Sequence, residues 1–326
     1  MTPDRHQADI AIVGAGIAGI ATAVEALARG RRVLLLDRDV EASLGGLACE
    51  AMGGLWFAGT PLQRRYRIQD SIELGYADWL SFGELGDDDE WPRAWARRYV
   101  ERCVPDVFEW LTGLGVRFMP MPMWVERGLH RQGNSVPRFH FVWGTGRALI
   151  AALIARLRDL PQRGRFEIRF GHRVDSLVTR DGKVTGVVGA TEPEGRPFEV
   201  AADAIVIAAG GINGDIDRVR RHWHADWGHP PPVILNGSHR FADGRLHDAA
   251  AAAGANVTHL DWQWNYAAGI RHWRPRKPGH GLSLVPPKSA LWLNARGERI
   301  GPEPLVTGFD THELVARICH ESGGYS

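Results

Sequence analysis

Cysteine is scarce: Cys49, Cys103 and Cys319 are the three in 326 residues. They are widely spaced and form no CxxC pair, which excludes a disulfide framework and a thiolate metal site and fits a reducing cytoplasm. Neither sign of charge is in surplus, with 39 Lys and Arg against 38 Asp and Glu. A net charge of +1 argues against nucleic acid as the main ligand, because neutralising phosphates needs a basic excess. No run approaches the ~18 apolar residues of a spanning helix. Asp4, Arg5, His6 and Asp9 make the first ten residues unlike a signal peptide. A soluble, unexported protein is expected. GxSxG and HExxH are also missing, which removes the usual hydrolase readings, and there is no internal repeat.

What is present is an ordinary globular composition, 44% hydrophobic and 24% charged, with 13 Trp residues as its oddity. Several of these (Trp56, Trp143, Trp223, Trp227, Trp262, Trp264, Trp273, Trp292) lie outside strongly periodic segments. Such rings most often fill core, since each buries a large apolar area. The length suits two domains, or one large α/β domain carrying an insertion.

Residues 9–37 read DIAIVGAGIAGIATAVEALARGRRVLLLD: an apolar strand, a glycine turn, an Ala-rich helix ending at Gly30 and a second strand. This is a complete βαβ unit. Residues 39–142 lose the pattern and read as an excursion from the first domain, with a helical stretch over Trp91–Leu114. Order returns in a helix over 143–160 that Thr145 caps. Strand patterns follow at 166–170, 173–179, 183–189, 197–200 and 204–211, the middle three forming an antiparallel meander. After Gly211 the composition shifts to His, Trp and Pro, and 242–255 reads as a helix. The division is thus 1–211, with its excursion, and 212–326.

A dinucleotide's pyrophosphate needs backbone N–H donors at a helix N-terminus, with no side chain in the way. Gly14, Gly16 and Gly19, with Ala15 between the first two, supply the tight turn, the close approach and the helix–strand packing. Asp37, closing the second strand, accepts hydrogen bonds from an adenosine ribose and repels a 2′-phosphate. The pairs Gly45-Gly46 and Gly53-Gly54 suit a chain running along a pyrophosphate toward an isoalloxazine, and they also suit ordinary turns. On the residues alone, FAD and NAD both stand. His222, His224, His229 and Asp226 make a poor metal cluster, because Pro230–Pro232 argue for a loop.

The first strand unit, the glycine pairs and AIVIAAGG followed by ADGRLHDAAAAAGA resemble the flavoprotein subunits of fumarate reductase and succinate dehydrogenase, and the related 3-ketosteroid dehydrogenases. GNSVPRFHFVWGTG (133–146), DWQWNYAAGI (261–270) and GFDTHELVARI (308–318) are similar to the FAD-binding dehydrogenases of that superfamily. The resemblance covers nearly the whole chain. It implies an α/β class: a Rossmann-like FAD-binding domain with a meander, followed by a partial capping domain for substrate at 212–326. Gly14, Gly16, Gly19, Asp37, Arg38, Ser43, Gly45, Gly46, Gly54, Val174, Ala209, Gly210 and Asp243 would contact FAD.

Covalent members carry a histidine just before the first glycine pair. Ser43 and Leu44 stand there, so noncovalent FAD is implied. Ala268-Gly269 replaces the His-Pro pair of fumarate reductases, and His312 aligns with their proton-donating arginine, which disfavours fumarate reduction. Family members continue beyond the point matching Tyr325-Ser326, so the chain resembles the N-terminal part of a longer protein, one expected to hold FAD weakly and to self-associate through exposed apolar surface.

The implied activity is hydride transfer between flavin and a carbon beside a carbonyl in a bulky apolar substrate, with an electron acceptor as second partner. Tyr266 is a candidate because a phenol donates or accepts a proton beside a carbonyl; Trp262 and Trp264 join it as a pocket wall. His312 is a second candidate. Arg138, with His140 in PRFH, offers a charge near flavin, or a structural polar contact. The rivals are an inactive remnant or binding module, and an NAD-dependent dehydrogenase with its centre in 212–326.

Overall fold

The computed structural model describes residues 2–284, 291–303, 305–306 and 308–321. The chain divides into two compact units, one of Met1–Ala51, Leu149–His222 and Asn236–Trp262, the other of Met52–Ala148, Trp223–Leu235 and Gln263–Ser326. Each unit therefore gathers three separate stretches of sequence.

In chain order the strands among the described residues are β1 (Asp4–Val13), β2 (Val33–Leu36), β3 (Gly54–Trp56), β4 (Phe139–Phe141), β5 (Phe166–Arg169), β6 (His172–Arg180), β7 (Lys183–Thr191), β8 (Pro197–Ile207), β9 (Gly269–Arg271) and β10 (Gly281–Ser283), the last two forming an antiparallel pair. Six of them build one sheet of the first unit, in the order β5-β2-β1-β8-β7-β6. β5, β2, β1 and β8 run parallel, and β8, β7 and β6 alternate as the expected meander. All four residues of β2 are buried, as a parallel strand covered on both faces requires. Helix α1 (Ile17–Ala28) covers one face, burying Ile20, Ala23, Val24 and Leu27. On the other, Ala11, Val13, Leu34, Leu36, Val187 and Val200 pack with Leu246 and Ala249 of the helix Arg245–Ala252.

Two expected strands, 197–200 and 204–211, are one. β8 is continuous because β1 begins at Asp4 rather than Asp9, and Gln7 and Ala8 pair with Ala201 and Ala202 across the weakly apolar middle. It ends at Ile207, leaving residues 208–211 outside the strand. The helix expected over 242–255 is shorter, since Gly244 takes a left-handed φ of 76° and the helical turn starts after it. The helix Thr145–Asp159 starts at Thr145 itself, whose hydroxyl accepts from the Arg147 N–H at 3.4 Å.

The second unit has little sheet. β3 and β4 pair over three residues, and helices occupy Ile72–Phe82, Glu90–Arg102 and Glu109–Gly113. The single helix expected over 91–114 is interrupted by a π-helical stretch at Cys103–Phe108. Pro105 is the cause: it has no N–H to donate and its ring crowds the carbonyl four residues earlier, so the turn widens around it. Trp227 and Trp292 fill core as expected, whereas Trp143, Trp264 and Trp273 are each more than half exposed.

Candidate cofactor site

Within the first unit, β1 turns through Gly14–Gly16 into α1. The turn tolerates no substituent on its inner side: a Cβ on Gly19 would lie 1.8 Å from the Gly14 carbonyl oxygen, and one on Gly14 would lie 2.3 Å from the Ala208 carbonyl. At Gly16 the reverse holds, for an added Cβ would meet nothing within 4 Å. It would project into a cleft of about 470 Å³. Gly16 is also the N-cap of α1, with no side chain bonded to the helix end and no acidic residue in the first turn. The leading N–H groups of α1 therefore face the cleft with their partial positive charge, as an anion site requires.

Asp37 directly follows β2, beside that turn. One carboxylate oxygen accepts from the Ala15 N–H at 2.6 Å and the other from the Asp39 N–H at 2.7 Å. Two further backbone bonds, Asp37 N–H to Arg169 O and His172 N–H to Asp37 O, fasten the strand end. The segment after the next strand-free stretch then comes alongside: the Gly45 N–H donates to Ala15 O at 2.9 Å, and Gly46 lies so near that its added Cβ would stand 3.5 Å from the Gly16 Cα. Ala208–Gly211, His172–Val174, Ser238, His239 and Phe241–His247 complete the walls of the cleft.

Of the sequence-derived cofactor residues, Gly14, Gly16, Asp37, Arg38, Ser43, Gly45, Gly46, Val174, Ala209, Gly210 and Asp243 all line this one cleft. Ala15 and Gly19 are buried behind it and hold its shape. Gly54 is not among its walls: it belongs to β3 of the second unit, where an added Cβ would strike the Phe139 ring at 2.3 Å. Sequence reasoning passed over His172, Arg173, His239 and Phe241, which also line the cleft. Proximity to Asp243 was the available signal for the last two.

The fold places these residues for a dinucleotide: open space over Gly16, unsatisfied N–H groups at a helix start and a fixed carboxylate at the end of β2. The chain matches the family described as FAD binding domain over residues 9–324. It belongs to that family. The flavoprotein is 40% identical to a KsdD-like steroid dehydrogenase of Mycolicibacterium smegmatis across 98% of this chain and 61% of the relative. It is 41% identical to one of Mycobacterium tuberculosis across 98% of this chain and 59% of the relative. It thus spans about three fifths of the length of these curated relatives. Its fold is shared with a flavocytochrome c3 fumarate reductase (TM-score 0.74, 21% identity, 98% of this chain and 51% of that one). It is shared too with a 3-ketosteroid-Δ4-(5α)-dehydrogenase of Rhodococcus jostii RHA1 (TM-score 0.69, 23% identity, 97% and 67%). The α/β flavoprotein class with a capping domain is therefore the class of this chain, and FAD is its cofactor.

The three candidate catalytic side chains all belong to the second unit. Tyr266 is partly exposed, with the Trp264 ring 6.2 Å away. Burial, and then the negative charge of Glu126, push its phenol above the ordinary range, so it carries its proton at neutral pH. His312 packs edge-on to His224, ring centres 4.8 Å apart, and 5.1 Å from Trp227. Burial and the neighbouring His224 lower its pKa, which favours the neutral ring. Arg138 is enclosed: its guanidinium donates twice to Asp70, at 2.9 and 2.8 Å, and again to Asp78. Both Arg138 and Asp70 side chains have no exposed surface. His140, on the strand β4 that begins just after Arg138, has Nδ1 2.7 Å from Arg138 O and Nε2 2.8 Å from the Thr60 hydroxyl. A carbonyl only accepts, so Nδ1 bears the proton and Nε2 accepts from Thr60. Among the described residues no cluster of His, Cys, Asp and Glu can hold a metal ion, and no helix is long and apolar enough to cross a membrane.

Proposed function

We propose that the protein is an FAD-dependent dehydrogenase acting at a carbon beside a carbonyl in a bulky apolar substrate of the 3-ketosteroid kind. The observation that carries this is 40% identity over 98% of the chain to a protein named a KsdD-like steroid dehydrogenase. FAD, once bound, supplies the two-electron hydride chemistry. The N–H groups of α1 hold its pyrophosphate over Gly16 and Asp37 holds the adenosine ribose, while Ala209 and Gly210 bound the opposite side. Ser43 and Leu44 stand where covalent relatives carry a histidine, so the cofactor is held noncovalently.

Tyr266 is the proton-handling group in this reading. Its phenol, kept protonated, donates a hydrogen bond to the substrate carbonyl and polarises the adjacent C–H bond. Arg138 acts at a distance, as an internal tie, because its donors are already engaged by Asp70 and Asp78. His312 is left as a packing residue beside Trp227. The electron acceptor is a separate small molecule or protein, and the location is the cytoplasm, a reading supported by three cysteines that form no disulfide.

The test is anaerobic addition of 3-ketosteroids and simpler enones to the FAD-loaded protein, followed by turnover with an artificial acceptor. Bleaching of the flavin and turnover are expected, with Tyr266→Phe slowing both about 100-fold or more. Bound flavin that none of these compounds reduces, with no turnover, would overturn the assignment.

A further inference from the structure

Arg38 directly follows the ribose-binding Asp37, the neighbourhood in which an arginine accommodates the 2′-phosphate of a phosphorylated dinucleotide. Asp37 and Arg38 thus make opposite statements about the ligand. The side chains around Arg38 resolve the conflict. Its Nε donates to Glu192 at 3.0 Å and its Nη1 to Asp243 at 3.0 Å. Glu192 accepts in turn from Arg173 at 2.9 Å, Arg173 donates to Asp175 at 2.8 Å, and Asp175 accepts from Arg245 at 3.1 Å. Arg245 Nε lies 3.8 Å from Asp243, which closes the circuit. Positive and negative groups alternate around a six-membered ring drawn from the end of β2, from β6, from the residue after β7's last and from the start of the helix Arg245–Ala252. Arg38, Arg173, Asp243 and Arg245 from this ring line the cofactor cleft.

We propose that this ring sets the phosphate specificity of the adenosine end: by engaging each arginine with two carboxylates, it leaves none to receive a 2′-phosphate. The inference rests on the placement of the adenosine at Asp37 given above. Each guanidinium would have to surrender a carboxylate before it could grip a phosphate bidentately. Glu192 bridges Arg38 and Arg173, and those two, Arg38 before Arg173, hold its carboxyl below the ordinary range against the opposing effect of burial. Meanwhile Arg38 still serves the cleft as an apolar-faced wall, its guanidinium carbon 4.2 Å from the centre of the Phe241 ring. The ring thus supplies cationic side chains for shape while cancelling their charge. Neutralising one carboxylate should turn the same wall into a phosphate site.

The experiment compares the binding of adenosine 5′-diphosphate and adenosine 2′,5′-bisphosphate to the flavin-free full chain by calorimetry. The unaltered protein should prefer the diphosphate. Glu192→Gln should bind the bisphosphate about tenfold tighter than the unaltered protein does, with affinity for the diphosphate changed by less than about threefold. Glu192→Gln combined with Arg38→Gln should lose that gain. A Glu192→Gln protein that weakens both ligands equally, or neither, would overturn the ring's role and reduce it to a structural tie. So would a gain that survives loss of Arg38 and also of Arg173 in a companion Glu192→Gln/Arg173→Gln protein. If the diphosphate fails to bind the unaltered protein, the adenosine placement itself falls, and the proposal with it.

Discussion

The first unit shapes its cleft largely with backbone and the second anchors its interior with side chains. In the first, Gly14, Gly16 and Gly19 act by what they omit, and a six-stranded sheet fixes where the omission falls. In the second, two pairs of three-residue strands carry little of the order. Instead Arg138, Asp70 and Asp78 share a buried ionic cluster with Asn134, and the Phe57 ring packs edge to face with Phe108, Phe118 and His140. Backbone recognition survives extensive sequence drift as long as the glycines remain; a buried charge cluster fails when any one member is lost.

Substitutions break this comparison in order of severity. Gly19→Val should have the largest effect, because its side chain would occupy the Gly14 carbonyl and undo the turn. Neither FAD uptake nor a cooperative melt of the first unit is expected, read by flavin absorbance and circular dichroism. Gly16→Val should separate the two losses: flavin binding goes, since the side chain takes the phosphate's place, but the melting temperature holds within a few degrees. A flavin-binding Gly16→Val protein would refute the placement of the pyrophosphate.

In the second unit, Arg138→Met should cost about 3–5 kcal/mol by leaving two buried carboxylates uncompensated. Denaturant titration reads it, and a loss below about 1 kcal/mol would mean the cluster is not what anchors that unit. Acid should act through His140, which burial holds at a pKa of about 4. The unfolded ring protonates near pH 6.5, so the unfolded state binds more protons below that pH and stability falls as pH drops from 6.5 toward 4. The full loss is about 3 kcal/mol. His140→Gln should flatten the slope in that window, whatever it does to stability at pH 8. The smallest effect is expected from Thr60→Ala, which removes the cap of the helix Pro61–Arg65 and the partner of His140, at about 1–2 kcal/mol in a thermal melt.

The same division governs what was legible in the sequence. Local patterns disclosed the βαβ unit, the meander and nearly all of the cleft-lining glycines, because adjacent residues carry out adjacent tasks there. The continuity of β8 was invisible, since its middle is defined by pairing with Gln7 and Ala8 from the other end of the chain. Pro105 stood in plain view inside a helical pattern, yet a π-helical detour leaves no periodic mark. The buried cluster was harder still. Asp70, Asp78 and Arg138 share no spacing, and only the fold brings them to one point. Glu192 gave no sign of its place beside Arg38 for the same reason.

β8 also has a temporal meaning. Its partner β1 is made well before it, with the excursion over residues 39–142 and the strands β5, β6 and β7 in between. Until Ile207 emerges, β1 has β2 on one side and an open edge on the other, and the wall formed by Ala208–Gly211 does not exist. Closing so distant a pair is slow compared with forming helices or hairpins. The nascent glycine turn is therefore exposed before the Ala208–Gly211 wall exists, so completion of the cofactor cleft waits for β8, and an unpaired β1 is the edge that a chaperone would have to shield in the interval.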